Sequence, residues 1–378
     1  MKIVTDDKIP FLQGVLEPYA EVVYLPGRAI TREEVQDADA LIVRTRTRVG
    51  RELLEGSRVQ FVATATIGYD HLDTVWLEEA GIAWTNAPGC NSGSVMQYVA
   101  AALAWLSRRR GFSFRGTTLG VVGVGHVGSK VARMAELLGM KVLLNDPPRR
   151  RAEGDPAFLP LEQVLAESDI VTLHVPLNRE GEDRTLGLVD ELFISRMKHG
   201  ALLINSSRGA VVVDAVVKEA LRNGHLGGAV LDVWNHEPEP DPELMALADL
   251  ATPHIAGYSV DGKANGTAMS VQALARHFGL PLTGWYPEQL PPPPHPLITI
   301  APETPFEEVL RTVILHTYPI DRDDKALREH PERFEELRGN YPVRREFHNY
   351  SVKSDPHNEI LLKTLEKLKF NIIKEKEK

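Results

Sequence analysis

The chain has 378 residues, 43% of them apolar and 25% charged, with a formal net charge of -9 and an isoelectric point near 5.8. That length implies roughly two or three domains with enough apolar content for real cores, and the acidic balance gives no global footprint for nucleic acid or an anionic membrane. The one cysteine, Cys90, excludes an intrachain disulfide, no apolar run is long enough to span a bilayer, and Met1-Lys2-Ile3-Val4 runs straight into a strand-like segment without a secretory h-region. A cytoplasmic protein with neither a nucleic-acid nor a membrane partner is expected, and Cys90 reads as a buried, inert thiol because no basic neighbour is visible to activate it.

Short β-branched runs at Lys2 to Thr5, Glu21 to Tyr24, Ala40 to Val43, Gln60 to Ala65 and Ile82 to Thr85 read as strands separated by helical patterns, the alternation of a parallel sheet covered on both faces. A long helix over Ser92 to Arg109, with Val95, Tyr98, Val99, Ala102, Leu103 and Leu106 at helical spacing, leads into a second alternation. Its strands are expected at Thr118 to Val122, Lys141 to Asn145, Ile170 to His174, Ala201 to Asn205 and Gly228 to Asp232. A further helix, Ser259 to Phe278, returns the chain to the first sheet. Pro291 to Pro296 then favours extended polyproline geometry and marks a semi-rigid linker. Beyond it, helices at Phe306 to Leu315 and Glu359 to Leu368 and a strand at Phe370 to Ile373 suggest a small self-associating domain. The expected fold is α/β, with two doubly wound parallel-sheet domains of Rossmann or flavodoxin type and a small α+β C-terminal domain. Its boundaries are 1–92 plus 256–286 for a discontinuous substrate-binding domain, 93–255 for a dinucleotide-binding domain and 287–378 for a C-terminal dimerisation domain.

Gly123-Val124-Gly125-His126-Val127-Gly128 follows an apolar strand and opens a helix, the context that turns a glycine spacing into a dinucleotide site. Gly123 permits the tight turn, Gly125 lets the backbone approach a pyrophosphate and Gly128 allows helix and strand to pack; free N–H groups at the helix start face the phosphates. His126 and Val127 open that helix and complete the loop, with the His126 side chain read as exposed surface. Asp146, eighteen residues past Gly128, would accept hydrogen bonds from the adenosine ribose hydroxyls and repel a 2′-phosphate, which favours NAD. Arg149-Arg150-Arg151 is the complication, since guanidinium groups pair with phosphate.

Asn205-Ser206-Ser207-Arg208-Gly209 follows a strand and places Arg208 in the crevice beyond its carboxyl end, where open α/β sheets bind ligands. A planar, permanently charged guanidinium clamps a carboxylate in a bidentate fork, although alone it would serve equally in a surface ion pair. His254, in Thr252-Pro253-His254-Ile255-Ala256-Gly257, has a plausible partner in Glu237. Oxidising a secondary alcohol needs a base to take the hydroxyl proton as hydride leaves carbon, and histidine oriented by a carboxylate suits that task. His254 is therefore assigned as acid/base, Glu237 as its partner and Arg208 as carboxylate clamp. Asp232, at the end of a strand, would face the nicotinamide end. Arg44, Arg46 and Arg48 alternate with Thr45 and Thr47; an extended chain would put the arginines on one side and the hydroxyls on the other, a face suited to a phosphate or a solvated basic edge. Asp70-His71-Leu72-Asp73 is expected to begin a helix, with Asp70 as its N-cap.

Together these motifs resemble the D-isomer-specific 2-hydroxyacid dehydrogenases, over residues 1 to about 290. Leu25-Pro26-Gly27-Arg28, Thr64 to His71, Asn145 to Arg149, Ala256 to Ser259 with Gly262-Lys263, and the additional C-terminal region point within that family to a member acting on a small phosphorylated 2-hydroxy acid. The resemblance implies NAD as cofactor, a homodimer formed through the C-terminal domain, substrate contacts from Thr45, Thr66 and Tyr258, and cofactor contacts from Ser206, Ser207, Arg208, Asp232 and Gly257 as well as the glycine loop. Val175 departs from the family pattern, which usually offers threonine near the cofactor. A dehydrogenase of the 3-phosphoglycerate or hydroxypyruvate type and, from another class, an NAD-responsive corepressor-like binding protein are the competing readings.

Overall fold

The computed structural model describes residues 1–353 and 358–373, and the chain divides into two compact units, Met1–Asn91 with Ser259–Pro291, and Ser92–Tyr258 with Pro292–Lys378. In the first unit, β1 (Lys2–Asp6), β2 (Glu21–Leu25), β3 (Ala40–Val43), β4 (Phe61–Thr64) and β5 (Ala83–Thr85) form an all-parallel sheet in the order β2-β1-β3-β4-β5. Period-two alternation sends Ile3, Ala40, Ile42, Phe61 and Ala63 to one core and Val4, Leu41, Val43 and Val62 to another. Both faces are covered, which is why the inner strands read as unbroken apolar runs. The helix Val260–Phe278 belongs to this unit; it is capped by Ser259, whose Oγ accepts the Gly262 N–H at 2.8 Å, and it packs Val271 and Leu274 into the first of those cores.

Two local expectations fail in this unit. β3 stops at Val43 and residues 45–47 turn rather than extend, so the arginines and threonines there do not alternate across a strand. Arg44 instead forms a bidentate pair with the fully buried Asp6, at 2.9 and 3.1 Å, while Thr47 Oγ1 donates to the Gly27 carbonyl at 2.8 Å. Satisfying the buried Asp6 carboxylate outweighs strand continuation, because an unpaired buried charge is costly. The helix Thr74–Glu79 is capped by Asp73, which accepts the Trp76 N–H at 3.1 Å, and not by Asp70. Cys90 is buried, as expected.

In the second unit, β6 (Thr118–Val122), β7 (Lys141–Asn145), β8 (Ile170–Leu173), β9 (Ala201–Asn205), β10 (Leu226–Leu231) and β11 (Leu250–Ala251) build a parallel sheet in the order β11-β10-β9-β8-β6-β7. The order reverses between β6 and β8, so a crevice opens beyond their carboxyl ends. The helix Ser92–Arg110 is buried almost all round, Ala100, Ala101 and Ala104 included. It packs on both the helix His126–Leu138 and the helix Phe306–Thr317, so the C-terminal region covers the side a surface helix would leave polar. That region carries a three-stranded parallel sheet of β12 (Leu297–Thr299), β13 (Ser351–Lys353) and β14 (Asn371–Ile373), with the helix Glu359–Lys367 leading into β14. The fold is therefore two parallel α/β sheets with a small α+β C-terminal part. The helices Asp321–Glu329 and Phe334–Gly339, and strands β12 and β13, were not foreseen. Among the described residues no helix is long and apolar enough to cross a membrane.

Candidate active site

The glycine loop runs from β6 into the helix His126–Leu138, and each of its glycines answers a different steric demand. Gly123 has φ +86°, and a Cβ there would lie 2.7 Å from the His174 carbonyl. A Cβ on Gly128 would collide with the Gly123 carbonyl, whereas one on Gly125 would meet no heavy atom within 4 Å. Gly125 supplies no capping side chain to the helix start, leaving its first-turn N–H groups suited to an anion. Val127 is half-buried and the His126 side chain is exposed, as foreseen.

Asp146 follows β7 and is tied to the same loop. Its Oδ2 accepts the Val124 N–H at 2.7 Å and its Oδ1 accepts the Arg149 N–H at 3.0 Å, capping the helix Pro147–Glu153. Arg149 donates to the Val124 carbonyl at 2.7 Å, grips both oxygens of Glu153 at 2.6 and 2.9 Å, and lies 4.7 Å from the Phe158 ring centroid. Arg151 pairs with Asp183 and Glu182. Of the arginine run, two members thus have carboxylate partners already, which removes the main objection to NAD. Val175 is half-buried; its Cγ1 lies 2.8 Å from where a Gly123 Cβ would stand. His174, beside it, is pushed down to about 3 by desolvation and stays neutral.

Arg208 is presented by a turn that Asn205 organises. The Asn205 Oδ1 accepts both the N–H and the hydroxyl of Ser207, at 3.0 and 2.8 Å, and its Nδ2 donates to the Arg208 carbonyl at 2.9 Å. Gly209 is forced, because a Cβ there would overlap the Trp234 carbonyl. Ser206 Oγ is buried with no hydrogen-bond partner among the described residues. An orphaned hydroxyl and an open glycine face are both features that a polar ligand would satisfy, and a dinucleotide held by Gly123 to Gly128, Asp146 and Ser206 fits them.

His254 and Glu237 come together. His254 Nδ1 lies 2.7 Å from Glu237 Oε2, while Glu237 Oε1 accepts the Trp234 N–H at 3.0 Å. Burial opposes the Glu237 charge, yet the imidazole contact, the Trp234 N–H and the nearby Arg338 outweigh it and hold the carboxyl below its usual range. Arg338 Nη1 stands 4.0 Å from Glu237 Oε2. The His254 backbone sits at φ +56°, a conformation an L-residue adopts only where its surroundings enforce it. Asp232, fully buried and driven upward by desolvation, commits its carboxylate to this loop. Its Oδ1 accepts Thr252 Oγ1 at 2.6 Å and the Ile255 N–H at 2.8 Å, and its Oδ2 accepts the Ala256 N–H at 2.9 Å. Gly257 and Tyr258 follow, both half-buried, with Tyr258 edge-on to Tyr341.

Arg208, Glu237, His254, Asp232, Gly257, Tyr258 and the glycine loop all lie in the second unit, whereas Thr45 and Thr66 belong to the first. Thr45 is exposed, and Thr66 Oγ1 lies 2.8 Å from Thr64 Oγ1 and donates to the Gly68 carbonyl at 2.9 Å. Sequence reasoning missed Asn205, Thr252 and Arg338 as parts of the site's framework. The first two stood inside motifs already singled out; Arg338, in a run of charged helix residues, gave no signal.

Residues 94–256 match the NAD-binding domain of the D-isomer specific 2-hydroxyacid dehydrogenases, and residues 289–368 match a domain of unknown function. The chain belongs to the D-isomer specific 2-hydroxyacid dehydrogenase family and is an NAD-dependent enzyme. Within it, the chain is similar to erythronate-4-phosphate dehydrogenases: that of Bacteroides fragilis is 50% identical across 93% of this chain and 99% of its own length, and that of Porphyromonas gingivalis 42% across 93% and 95%. Among solved structures, the D-lactate dehydrogenase of Aquifex aeolicus, complexed with NAD and lactic acid, superposes with a TM-score of 0.61 at 27% identity over 74% of this chain and 96% of its own. The TT0316 protein of Thermus thermophilus gives 0.62 at 29% over 74% and 98%.

Proposed function

We propose that this enzyme oxidises 4-phospho-D-erythronate to the corresponding 2-oxo acid, an early step in making pyridoxal 5′-phosphate. The substrate follows from the relatives that share half of its residues across nearly its whole length. The chemistry rests on one observation, the 2.7 Å contact between His254 Nδ1 and Glu237 Oε2. With Nδ1 held by the carboxylate, Nε2 is the nitrogen left to take the C2 hydroxyl proton. Glu237 remains ionised because its charge is stabilised in place, and it compensates the imidazolium that forms. Arg208 clamps the substrate carboxylate and polarises the developing carbonyl. NAD, when bound, supplies the hydride acceptor. Gly123, Gly125, His126, Val127 and Gly128 line its pyrophosphate, Asp146 its adenosine ribose, and Val175, Ser206, Ser207, Arg208, Asp232 and Gly257 the remainder. Thr45, Thr66 and Tyr258 are the substrate contacts that the family resemblance implies.

In this reading residues 1–92 with 256–286 form the substrate-binding domain, 93–255 the NAD-binding domain and 287–378 a dimerisation domain. Exposed apolar side chains on the last, Leu297 at 50%, Ile360 at 74% and Ile373 at 42%, support a homodimer formed there; a monomeric mass by light scattering would contradict it. A buried single thiol, needing no oxidising compartment, supports the cytoplasm. The deciding assay follows NADH formation from NAD and 4-phospho-D-erythronate, with and without a 2-oxo acid to reoxidise tightly held NADH. Turnover is expected, and Arg208→Ala should remove nearly all of it. Silence in both conditions, with 3-phosphoglycerate active instead, would keep the family and overturn the substrate.

A further inference from the structure

The loop after His254 is held from two opposite sides. Asp232 takes its N–H groups, at 2.8 Å from Ile255 and 2.9 Å from Ala256. Arg344, which reaches it from the C-terminal region, takes its carbonyls: Nη2 donates to Ala256 O at 2.6 Å and to Ile255 O at 3.1 Å. The peptide joining Ile255 to Ala256 is therefore gripped at both ends, its N–H by a carboxylate and its C=O by a guanidinium. The peptides before and after it are each held by one of the two charges. This is the stretch that connects His254, in its left-handed conformation, to Gly257 and Tyr258.

Arg344 is 4% exposed, and full burial of a guanidinium demands compensation. The surroundings provide part of it. Its guanidinium carbon lies 4.5 Å from the Tyr318 ring centroid and 5.5 Å from that of Tyr341, and both tyrosines donate their hydroxyls to Asp323 Oδ2, at 2.7 and 2.6 Å. Yet Nε and Nη1 find no hydrogen-bond partner among the described residues. A side chain recruited only to fill a core would not leave two donors unsatisfied when an apolar residue could take its place. The donor that is satisfied is the one aimed at the His254 loop.

We propose that Arg344 is a positioning residue for the oxidation: it acts through the Ile255 and Ala256 carbonyls to fix the His254 imidazole, giving the C-terminal region a role in catalysis within its own chain, apart from self-association. The proposal rests on His254 as the base. Misplacing a reacting group by about 1 Å costs on the order of 10²-fold in rate, so Arg344→Met in the full-length enzyme is expected to lower kcat about that much while KM for NAD and the affinity for NADH stay near wild type. Arg344→Lys, which keeps the positive charge on a single donor nitrogen, should recover part of kcat and serves as the test if the methionine variant does not fold. Hydrogen exchange supplies a readout independent of turnover: the Ile255 and Ala256 amides should lose protection in Arg344→Met while those of the helix His126–Leu138 keep theirs. Unchanged kcat and protection in either folded variant would overturn the proposal, as would a loss of activity that tracks only a loss of the dimer by light scattering. His254→Gln separates the two readings. If that variant stays active, His254 is not the base and Arg344 is not a catalytic positioner; if it is dead while Arg344→Met behaves as wild type, the base stands and the anchor falls.

Discussion

The glycine loop after β6 and the histidine loop after β11 are built on opposite principles. The glycine loop works by omission: three missing side chains let backbone approach backbone at Gly123 and Gly128 and leave space at Gly125. Its partners, Asp146 and Arg149, arrive from the next strand and helix. The histidine loop works by accumulation, with Asp232, Glu237, Thr252, Trp234 and Arg344 each making a bond that fixes a part of it. A site that must admit a large ligand is opened by glycine, whereas one that must hold an imidazole against an unfavourable backbone conformation is closed by polar contacts.

The largest effect expected of this contrast falls on kcat alone. His254→Gln should reduce turnover by about 10² to 10⁴-fold, the usual contribution of a general base, without changing NADH affinity measured by fluorescence titration. A comparable loss of NADH binding would show the two loops to be one energetic unit. Gly128→Ala should do the reverse. Its methyl would overlap the Gly123 carbonyl, and relieving such overpacking costs about 1–3 kcal/mol, read as a lower Tm and NADH binding weakened by up to about 10²-fold. Normal binding in that variant would mean that the turn relaxes freely. Asp146→Asn is milder. It keeps the shape but replaces one of the two accepting oxygens with an amide nitrogen that can only donate, so the bond to Val124 or to Arg149 is lost; a lost hydrogen bond costs about 1 kcal/mol, and NADH affinity should fall roughly fivefold. NADPH should not be accepted in its place, because Arg149 remains tied to Glu153.

The contrast also explains what the sequence disclosed. The glycine loop was legible because its constraints are local: strand, turn and helix follow one another, and Asp146 ends the next strand. Glu237 and His254 were legible through the chemistry of their side chains. What holds them was not, since Arg344 meets Ile255 across almost ninety positions and nothing in Val343-Arg344-Arg345 distinguishes a buried guanidinium from a solvated one. The same limit misplaced the arginines after β3. Alternation assumed an extended chain, and the buried Asp6 that captures Arg44 lies on β1. For the helix Ser92–Arg110, helical spacing marks a single apolar face, because the C-terminal helix that covers its other side comes two hundred residues later.

Val175 tests the glycine loop at its finest grain. Its Cγ1 stands against the Gly123 turn, beside the His174 carbonyl, at the position where the family pattern usually carries threonine. Val175→Thr exchanges a methyl for a hydroxyl of nearly the same volume, so packing should survive and only hydrogen bonding should change. If that hydroxyl reaches the cofactor, a net gain of about 0.5–1.5 kcal/mol follows, and NADH affinity should tighten by a few-fold with kcat unaltered. Should affinity fall instead, together with Tm, the added oxygen has been buried without a partner. The loop would then have closed over apolar contact at this point, and the opening by omission that defines the rest of it would end at Gly123.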